Sequence, residues 1–474
     1  MKKFLILLAA CAAAACSKAP QPIDCVNPNL GSVHSRWFFY PPAAEPFGLA
    51  KQGPSTNGSY TSPSGWEAVG YEDIHTSIEG FPCLHEFQVG GVLLMPTVGE
   101  IRTVPGRLDD PDGGFRSRFD KADEVARPGY YSVVLKDYGV RAELTSTTRV
   151  AFQRYTFPAS EESNILFDIG NAIGESGPVV DAYVHVLDPQ RIEGYAVYEP
   201  LYAQKYQPGA TIGVYFHAEL SRPADTWMLY RRGGEPFAGD ELRGIGAGAA
   251  LRYKTSAEEQ IEVRIGLSYT SVENALANLR GEADGLDFDK VRRRTEGKWK
   301  ESLGRIRVEG GSEEARVKFY TGLYHALLGR GIASDINGAY PRNDGTVGQI
   351  PTDAEGRPLF CHYNTDAVWG AYWNLTLLWE LAYPDYYNDF IRSQLLVYDD
   401  AGWLGDGIAC SKYVSGVGTN MVSVVMAGAY QNGIRDFDVE KAYEAALRNE
   451  LDGENRPLGA GKEDVASFVM LGYA

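Results

Sequence analysis

The chain has 474 residues, 44% of them hydrophobic and 12% aromatic, and a formal charge of −17. That length supports two or three packed domains. The acidic balance excludes a nucleic-acid role, because phosphates demand a basic footprint, and leaves a neutral substrate open.

The N-terminus, MKKFLILLAACAAAAC, carries two lysines and a short apolar run of small residues and leucines. It is too short for a spanning helix and is predicted to be an export signal over residues 1–16. Cys16 directly follows Ala14–Ala15, an arrangement that resembles a bacterial lipoprotein site, with Cys11 the weaker candidate. Lipidation of Cys16 tethers a protein to a membrane surface, here in the periplasm or at the outer membrane. Ordinary secretion without an anchor is the alternative. Beyond Cys16 only Cys25, Cys83, Cys361 and Cys410 remain, too few for a disulfide scaffold. One or two bridges stay open, with no pairing readable from spacing. There is no CxxC and no HExxH, and the seven histidines are scattered, so no transition-metal cluster is suggested. Asp335–Ile336–Asn337–Gly338 with Asp344 has some features of a calcium loop but lacks the ligand series, and reads as a turn.

Residues 25–270 read as antiparallel sheet. Runs such as VVDAYVHVL and TIGVYFHAEL recur between turn residues without intervening helices. In one of them Val140, Ala142 and Leu144 alternate with Arg141, Glu143 and Thr145, a strand with one buried face. The spacing predicts a β-sandwich of about twelve or more strands. Residues 105–129 and most of 51–80 are loop by composition. The second of these holds Trp66, either a stacking platform for a ligand ring or a plain loop anchor. His85 and Glu86, close by in sequence, form an imidazole–carboxylate neighbour pair that can bind hydroxyls; a solvated turn is the bland alternative.

Residues 271–308 change period. A Ser271 cap and the apolar spacing predict two short amphipathic helices, joined through Gly281–Gly285 as a linker. From residue 309 to 474 the pattern is helical, with no strand runs of note. Within it lies FCHYNTDAVWGAYWNLTLLWELAYPDYYNDFIRSQLLVYDDAGWLGDG, residues 360–407. Asp366, Trp369 and Trp373 recur three and four apart, so one helix would carry them on a single face with Asn374 at its edge. Leu375, Leu377, Leu378 and Trp379 are expected to bury that helix. A carboxylate beside indoles suits a sugar, whose hydroxyls it accepts while the ring stacks. The plainer reading makes Asp366 a helix cap and the tryptophans core.

Several short stretches together carry a family resemblance. In order they are Val26–Gly31, Pro46–Leu49, Val92–Gly99, Pro128–Tyr131, Glu143–Arg149, Phe319–His325, Asn364–Asp366, Asn388–Tyr398 and Gly433–Ala445. Over nearly the whole mature chain they resemble glycoside hydrolase family 92, the exo-acting α-mannosidases. The resemblance implies a β-sandwich, a helical linker and an (α/α)6 barrel. It also implies calcium-dependent, inverting hydrolysis of α-mannoside glycans by exported bacterial proteins, with Ca2+ as cofactor. Asp366 falls where the family has an aspartate that holds the terminal mannose. Asn364–Thr365 precede it in place of the family's Leu-Trp, and Trp369 follows instead, a departure that suggests altered substrate preference. His85 and Glu86 fall on the family's sandwich loop that faces the barrel mouth. Asn29–Leu30–Gly31 departs from the family's Phe-Ile-Gly there.

The barrel takes twelve helices, and the chain reaches Ala474 after about five or six. The family's later stretches, which carry the general acid, the general base and the calcium anchors, have no match. An inverting enzyme needs both carboxyl groups, roughly 6.5–9.5 Å apart. The catalytic residues and metal ligands are therefore unassigned, and the expectation is the first part of an (α/α)6 barrel without activity of its own. A truncated mannoside-binding or vestigial surface lipoprotein is the alternative to an enzyme, and a purely structural lipoprotein is a weak third. The oligomeric state is left open.

Overall fold

The computed structural model describes residues 20–33, 39–58, 70–86, 89–170, 172–365, 367–417 and 420–473, with backbone alone at 85, 86 and 175. Cys16, Trp66 and Asp366 lie outside the described residues, as do the side chains of His85 and Glu86.

The N-terminal region is a β-sandwich. Its strands begin with β1 (Ser77–Ile78), β2 (Phe81–Glu86), β3 (Val89–Val98), β4 (Ser117–Arg118) and β5 (Val125–Arg127). Longer strands follow: β6 (Tyr130–Leu135), β7 (Val140–Ser146), β8 (Val150–Phe157) and β9 (Ser160–Asp168). The second half holds β10 (Val179–Asp188), β11 (Arg191–Tyr198), β12 (Ile212–Leu220) and β13 (Thr226–Arg231), then β14 (Glu241–Arg243), β15 (Ala247–Thr255) and β16 (Glu259–Ser268). One sheet has nine strands in the order β14-β10-β11-β12-β16-β8-β7-β6-β5, the other five in the order β13-β15-β9-β3-β2. Every pairing is antiparallel; hairpins such as β10-β11 and β7-β8 alternate with longer connections, which set β16 between β12 and β8 and β9 between β15 and β3. The loop expected over 105–129 contains the short strands β4 and β5.

Period two holds where one face meets water. On β10 and β11, Ala182, Val184, Ile192 and Ala196 are buried between the sheets, while Tyr183, His185, Glu193 and Tyr195 are only half-buried. On β7 the expected alternation fails, because Glu143 and Thr145 are buried along with their apolar neighbours. The cause is a second cover. Helices Val272–Ala283 and Phe288–Gly304 pack on the outer face of the nine-stranded sheet. Beneath them the Glu143 carboxylate accepts from Arg154 Nε at 2.9 Å and from the Tyr130 hydroxyl at 2.8 Å.

A buried polar joint fixes the helical region to the sandwich. Arg149 Nη1 pairs with Glu282 at 2.8 Å and Arg149 Nε donates to the Ser334 carbonyl at 2.7 Å. The neighbouring Asp335 carboxylate accepts from Ser268 (3.0 Å), Thr270 (2.5 Å) and Asn278 (2.7 Å). Gly338 N–H closes a turn onto the Asp335 carbonyl at 2.9 Å, so this segment is the turn its sequence suggested. All four described cysteines are free thiols.

The helical region runs through Glu313–Leu328, Val368–Ala371, Leu375–Ala382, Pro384–Ala401, Met421–Gln431, Val439–Leu451 and Val465–Leu471. It also contains two small hairpins that the sequence reading missed, Ala339–Pro341 with Val347–Gln349 and Gly407–Ala409 with Lys412–Ser415. Its core gathers Trp379, Tyr387, Phe390, Ile391, Leu395, Val422 and Val425. Leu377, expected to be buried, is 59% exposed, and Leu381, Val424, Tyr443, Leu451 and Met470 are exposed as well. Apolar side chains so exposed on adjoining helices attract hydrophobic probes. The folded protein should therefore enhance the fluorescence of a hydrophobic dye. A signal no higher than that of a compact control protein of similar size contradicts this. No described helix is long and apolar enough to cross a membrane.

Candidate active site

A pocket of about 260 Å³ lies where the N-terminal segment of the sandwich meets the helical region. Its aromatic walls are Phe39, Tyr40, Trp379, Tyr386 and Phe390, and its polar groups are Lys51, His325, Arg330, Asn364 and Thr365. None of the described lining residues is an aspartate or glutamate.

The walls come from segments far apart in the chain, held by close backbone approach. Phe47 has φ of 54° and stacks on Tyr386 with ring centroids 3.9 Å apart. Its N–H donates to the Leu327 carbonyl (2.9 Å) and its carbonyl accepts from Ile332 N–H (3.0 Å). Lys51 is 2% exposed and donates to the Gly329 carbonyl at 2.5 Å. Gly331 has φ of 83°, and a Cβ there would sit 2.4 Å from the Gly48 carbonyl oxygen. Both the left-handed backbone and the contact require glycine. Gly331→Ala should cost about 1–3 kcal/mol in chemical denaturation, and an unchanged midpoint would refute the strain argument.

The floor is the segment that leads into position 366. Tyr363 bridges Ile332 and Thr365 bridges Ile408, so the segment lies between two backbone partners. His362 is fully buried, with Nδ1 2.8 Å from the Ser393 hydroxyl and Nε2 2.8 Å from the Ser411 hydroxyl. Burial lowers its pKa to about 3, so the imidazole is neutral and makes one bond as donor and one as acceptor. His325, against Phe39 at 4.3 Å, is likewise lowered to about 4 by burial.

Asn364, a sequence-derived candidate, does line the pocket, but its amide is committed to structure. Its Oδ1 accepts from Cys410 N–H at 2.7 Å. That bond braces a two-residue hairpin turn in which Cys410 (φ 48°) and Ser411 (φ 61°) both have left-handed backbone. Such turns usually hold Asn-Gly; here side-chain bonds from Asn364 and Asn343 hold the backbone instead, and His362 holds the Ser411 hydroxyl.

Beyond position 366, Asp406 is fully buried and acts as an anchor. Its carbonyl accepts from Val368 N–H at 2.6 Å, and its carboxylate accepts from Trp369 N–H at 3.0 Å and from Ser415 Oγ at 2.5 Å. The chain is thus pinned on both sides of Asp366.

The expected single helix from 366 to 382 is broken, however. Helix Val368–Ala371 ends in a turn over 372–374, and a new helix starts at Leu375. Trp369 and Trp373 therefore do not form a core stripe; they are 41% and 66% exposed. Trp369 does not line the pocket. Asp399 and Asp400 lie away from it too, the first paired with Lys441 (2.8 Å), the second with Arg342 (3.3 Å).

Lys51, Arg330, His325 and Tyr386, like the aromatic Phe39, Tyr40 and Phe390, are pocket residues that sequence reasoning missed. The one available signal was the Gly329–Arg330–Gly331 run, whose flanking glycines mark a close backbone approach.

Residues 25–268 match the Glycosyl hydrolase family 92 N-terminal domain, and residues 274–474 match the Glycosyl hydrolase family 92 catalytic domain. A β-sandwich joined to a helical catalytic region across an aromatic pocket is thus the framework of a glycoside hydrolase. The chain belongs to glycosyl hydrolase family 92. The catalytic-domain match runs through the whole helical region, and it lends no support to the expectation of an inactive fragment.

An uncharacterized secreted glycosidase of Arthroderma benhamiae is 26% identical over 471 residues, covering 92% of this chain and 53% of that protein. The family GH92 alpha-mannosidase BT3965 from Bacteroides thetaiotaomicron is 27% identical with a TM-score of 0.81. That similarity covers 90% of this chain and 56% of the other, whose structure is also known with mannoimidazole bound. The inverting mannosidase BT2199 of the same organism is 22% identical, with a TM-score of 0.81 over 96% of this chain and 59% of its own; it shares the fold. This chain spans a little over half the length of these relatives.

Proposed function

We propose that the protein removes terminal α-mannose from glycans by inverting hydrolysis, with the pocket lined by Asn364 and Thr365 taking the terminal sugar. The observation that carries this reading is the match of both regions to one glycosidase family, together with the 27% identity to an alpha-mannosidase of the same fold. Aromatic walls with a few inward polar groups suit a pyranose ring, which is apolar on its faces and polar at its rim. In this reading Asp366 accepts hydroxyl hydrogens of the bound sugar, and contacts with the rest of the glycan are assigned to His85 and Glu86 by the family resemblance and to Trp369 and Trp66 by the sequence. The helical region is the first part of an (α/α)6 barrel.

Calcium is part of the proposal through the family alone. Among the described residues no group of three or more His, Cys, Asp or Glu side chains is gathered to hold a metal ion, so the described residues do not fit it and no step is routed through it. Export is proposed from the N-terminal signal and is supported by the secreted relative, while lipidation at Cys16 is proposed from that signal alone. Cys16→Ser should move the protein from the membrane fraction to the soluble one.

Incubation with an aryl α-mannoside should release mannose first as the β-anomer, read by NMR. Release of the α-anomer would overturn inversion, and turnover of an aryl β-glucoside instead would overturn the substrate class. A second reading, mannoside binding without turnover, is favoured by the lack of carboxylates among the described pocket-lining residues. Saturable mannoside binding with no release above buffer would select it.

A further inference from the structure

The outer face of the nine-stranded sheet carries a row of aromatic rings that takes no part in the pocket. Cross-strand register sets Arg243 of β14 beside Tyr183 of β10, Tyr183 beside Tyr195 of β11, and Tyr195 beside Tyr215 of β12. The three ring centroids are 5.8 and 5.6 Å apart. Tyr215 lies down over Gly213, where a Cβ would come within 2.9 Å of its ring. All three tyrosines are half-buried, on the side away from the sandwich core.

Acceptors border the row on both sides. The Tyr195 hydroxyl donates to Asp181 at 3.0 Å and accepts from Arg243 at 2.6 Å, and the Tyr183 hydroxyl donates to Glu241 at 2.9 Å. Glu193 stands in the next row, with its carboxylate 3.0 Å from His217 Nδ1. Half-exposed rings about one sugar residue apart, flanked by carboxylates, complement a ligand with apolar C–H faces and a rim of hydroxyl donors. An anionic polymer would meet three carboxylates against one guanidinium and be repelled. A purely apolar partner would leave those carboxylates desolvated.

We propose that Tyr183, Tyr195 and Tyr215 form a second binding surface on the sandwich, which holds a neutral polysaccharide chain and is separate from the pocket. Affinity electrophoresis of the full chain through gels containing soluble α-mannan tests this. The wild type should be retarded by α-mannan and not by polygalacturonate. Tyr195→Ala and Tyr215→Ala should each weaken the apparent affinity about three- to tenfold, whereas Tyr195→Phe, which keeps the ring, should lose less. Val197→Arg leaves every tyrosine in place and sets a bulky cation among them, since Val197 is the cross-strand neighbour of Asp181. It should abolish retardation even if an alanine variant fails to fold. No retardation of the wild type, equal retardation by polygalacturonate, or retardation unchanged in folded Tyr195→Ala and Val197→Arg would each overturn the proposal.

Discussion

Replacing His362 by glutamine is expected to destabilise the protein by about 3 kcal/mol at pH 7, with a penalty that shrinks as the pH falls. The ring is fully buried between Ser393 and Ser411, so the change leaves hydroxyl groups and a small void without partners. The pH dependence follows from linkage. Burial lowers the folded-state pKa from 6.5 to about 3. Between those values the unfolded chain binds a proton that the folded one does not, so stability is full above pH 6.5 and is lost as pH falls toward 3. The slope for one such histidine is about 1.4 kcal/mol per pH unit.

Glutamine does not titrate, so the difference between wild type and variant should close near pH 4.5. His325, lowered to about 4, adds a slope of the same sign in both proteins and cancels in the comparison. Asp389, raised to about 6 chiefly by burial, has the opposite sign: its contribution is present at low pH and is lost as pH rises through 6. The wild-type curve alone is therefore a mixture, and only the paired measurement isolates His362. Urea midpoints for both proteins at pH 7, 6, 5 and 4.5 give the comparison. A constant gap would mean that the imidazole is not neutral in the fold.

The sandwich was legible because alternation on strands such as β10 and β11 records a real boundary between core and water. It misled on β7, where helix Phe288–Gly304 supplies a second cover that no local pattern announces. The break between Ala371 and Leu375 was illegible for a different reason. Spacings of three and four among Asp366, Trp369 and Trp373 fit a helix, but the Asp406 anchor fixes only the turn around Val368, and the backbone leaves helical geometry at 372–374.

The Cys410–Ser411 turn carries no Asn-Gly signature, since distant side chains hold it. Lys51 stayed invisible for the same physical reason: its bond to Gly329 spans 278 positions. Sequence spacing reports neighbours within one element, whereas this pocket is assembled from elements brought together by the sandwich–helix joint.

Asp406→Ala is expected to have the largest effect on the proposed chemistry without touching the sugar. The carboxylate is fully buried, and its loss leaves the Trp369 N–H and the Ser415 hydroxyl without their acceptor. Each such group costs about 1–3 kcal/mol, so with two of them stability should fall by about 2–6 kcal/mol. The functional loss should be greater than that figure alone implies. Thr365 remains held by Ile408 and Val368 N–H keeps the Asp406 carbonyl, but Trp369 N–H loses its acceptor, so the support on the far side of position 366 is weakened. A misplacement of about 1 Å in a positioned group can lower turnover about a hundredfold.

Asp406→Asn separates the two effects. Its amide keeps one acceptor oxygen for Trp369 N–H and can still meet Ser415, so it should recover most of the stability and part of the turnover. Mannose release per folded molecule, measured well below each variant's melting point, is the deciding quantity. If the alanine variant turns over aryl α-mannoside as fast as the wild type once its folded fraction is counted, the anchor stabilises the chain but does not place Asp366. The sugar-binding role would then pass to pocket-lining groups that do not depend on that anchor, such as Arg330.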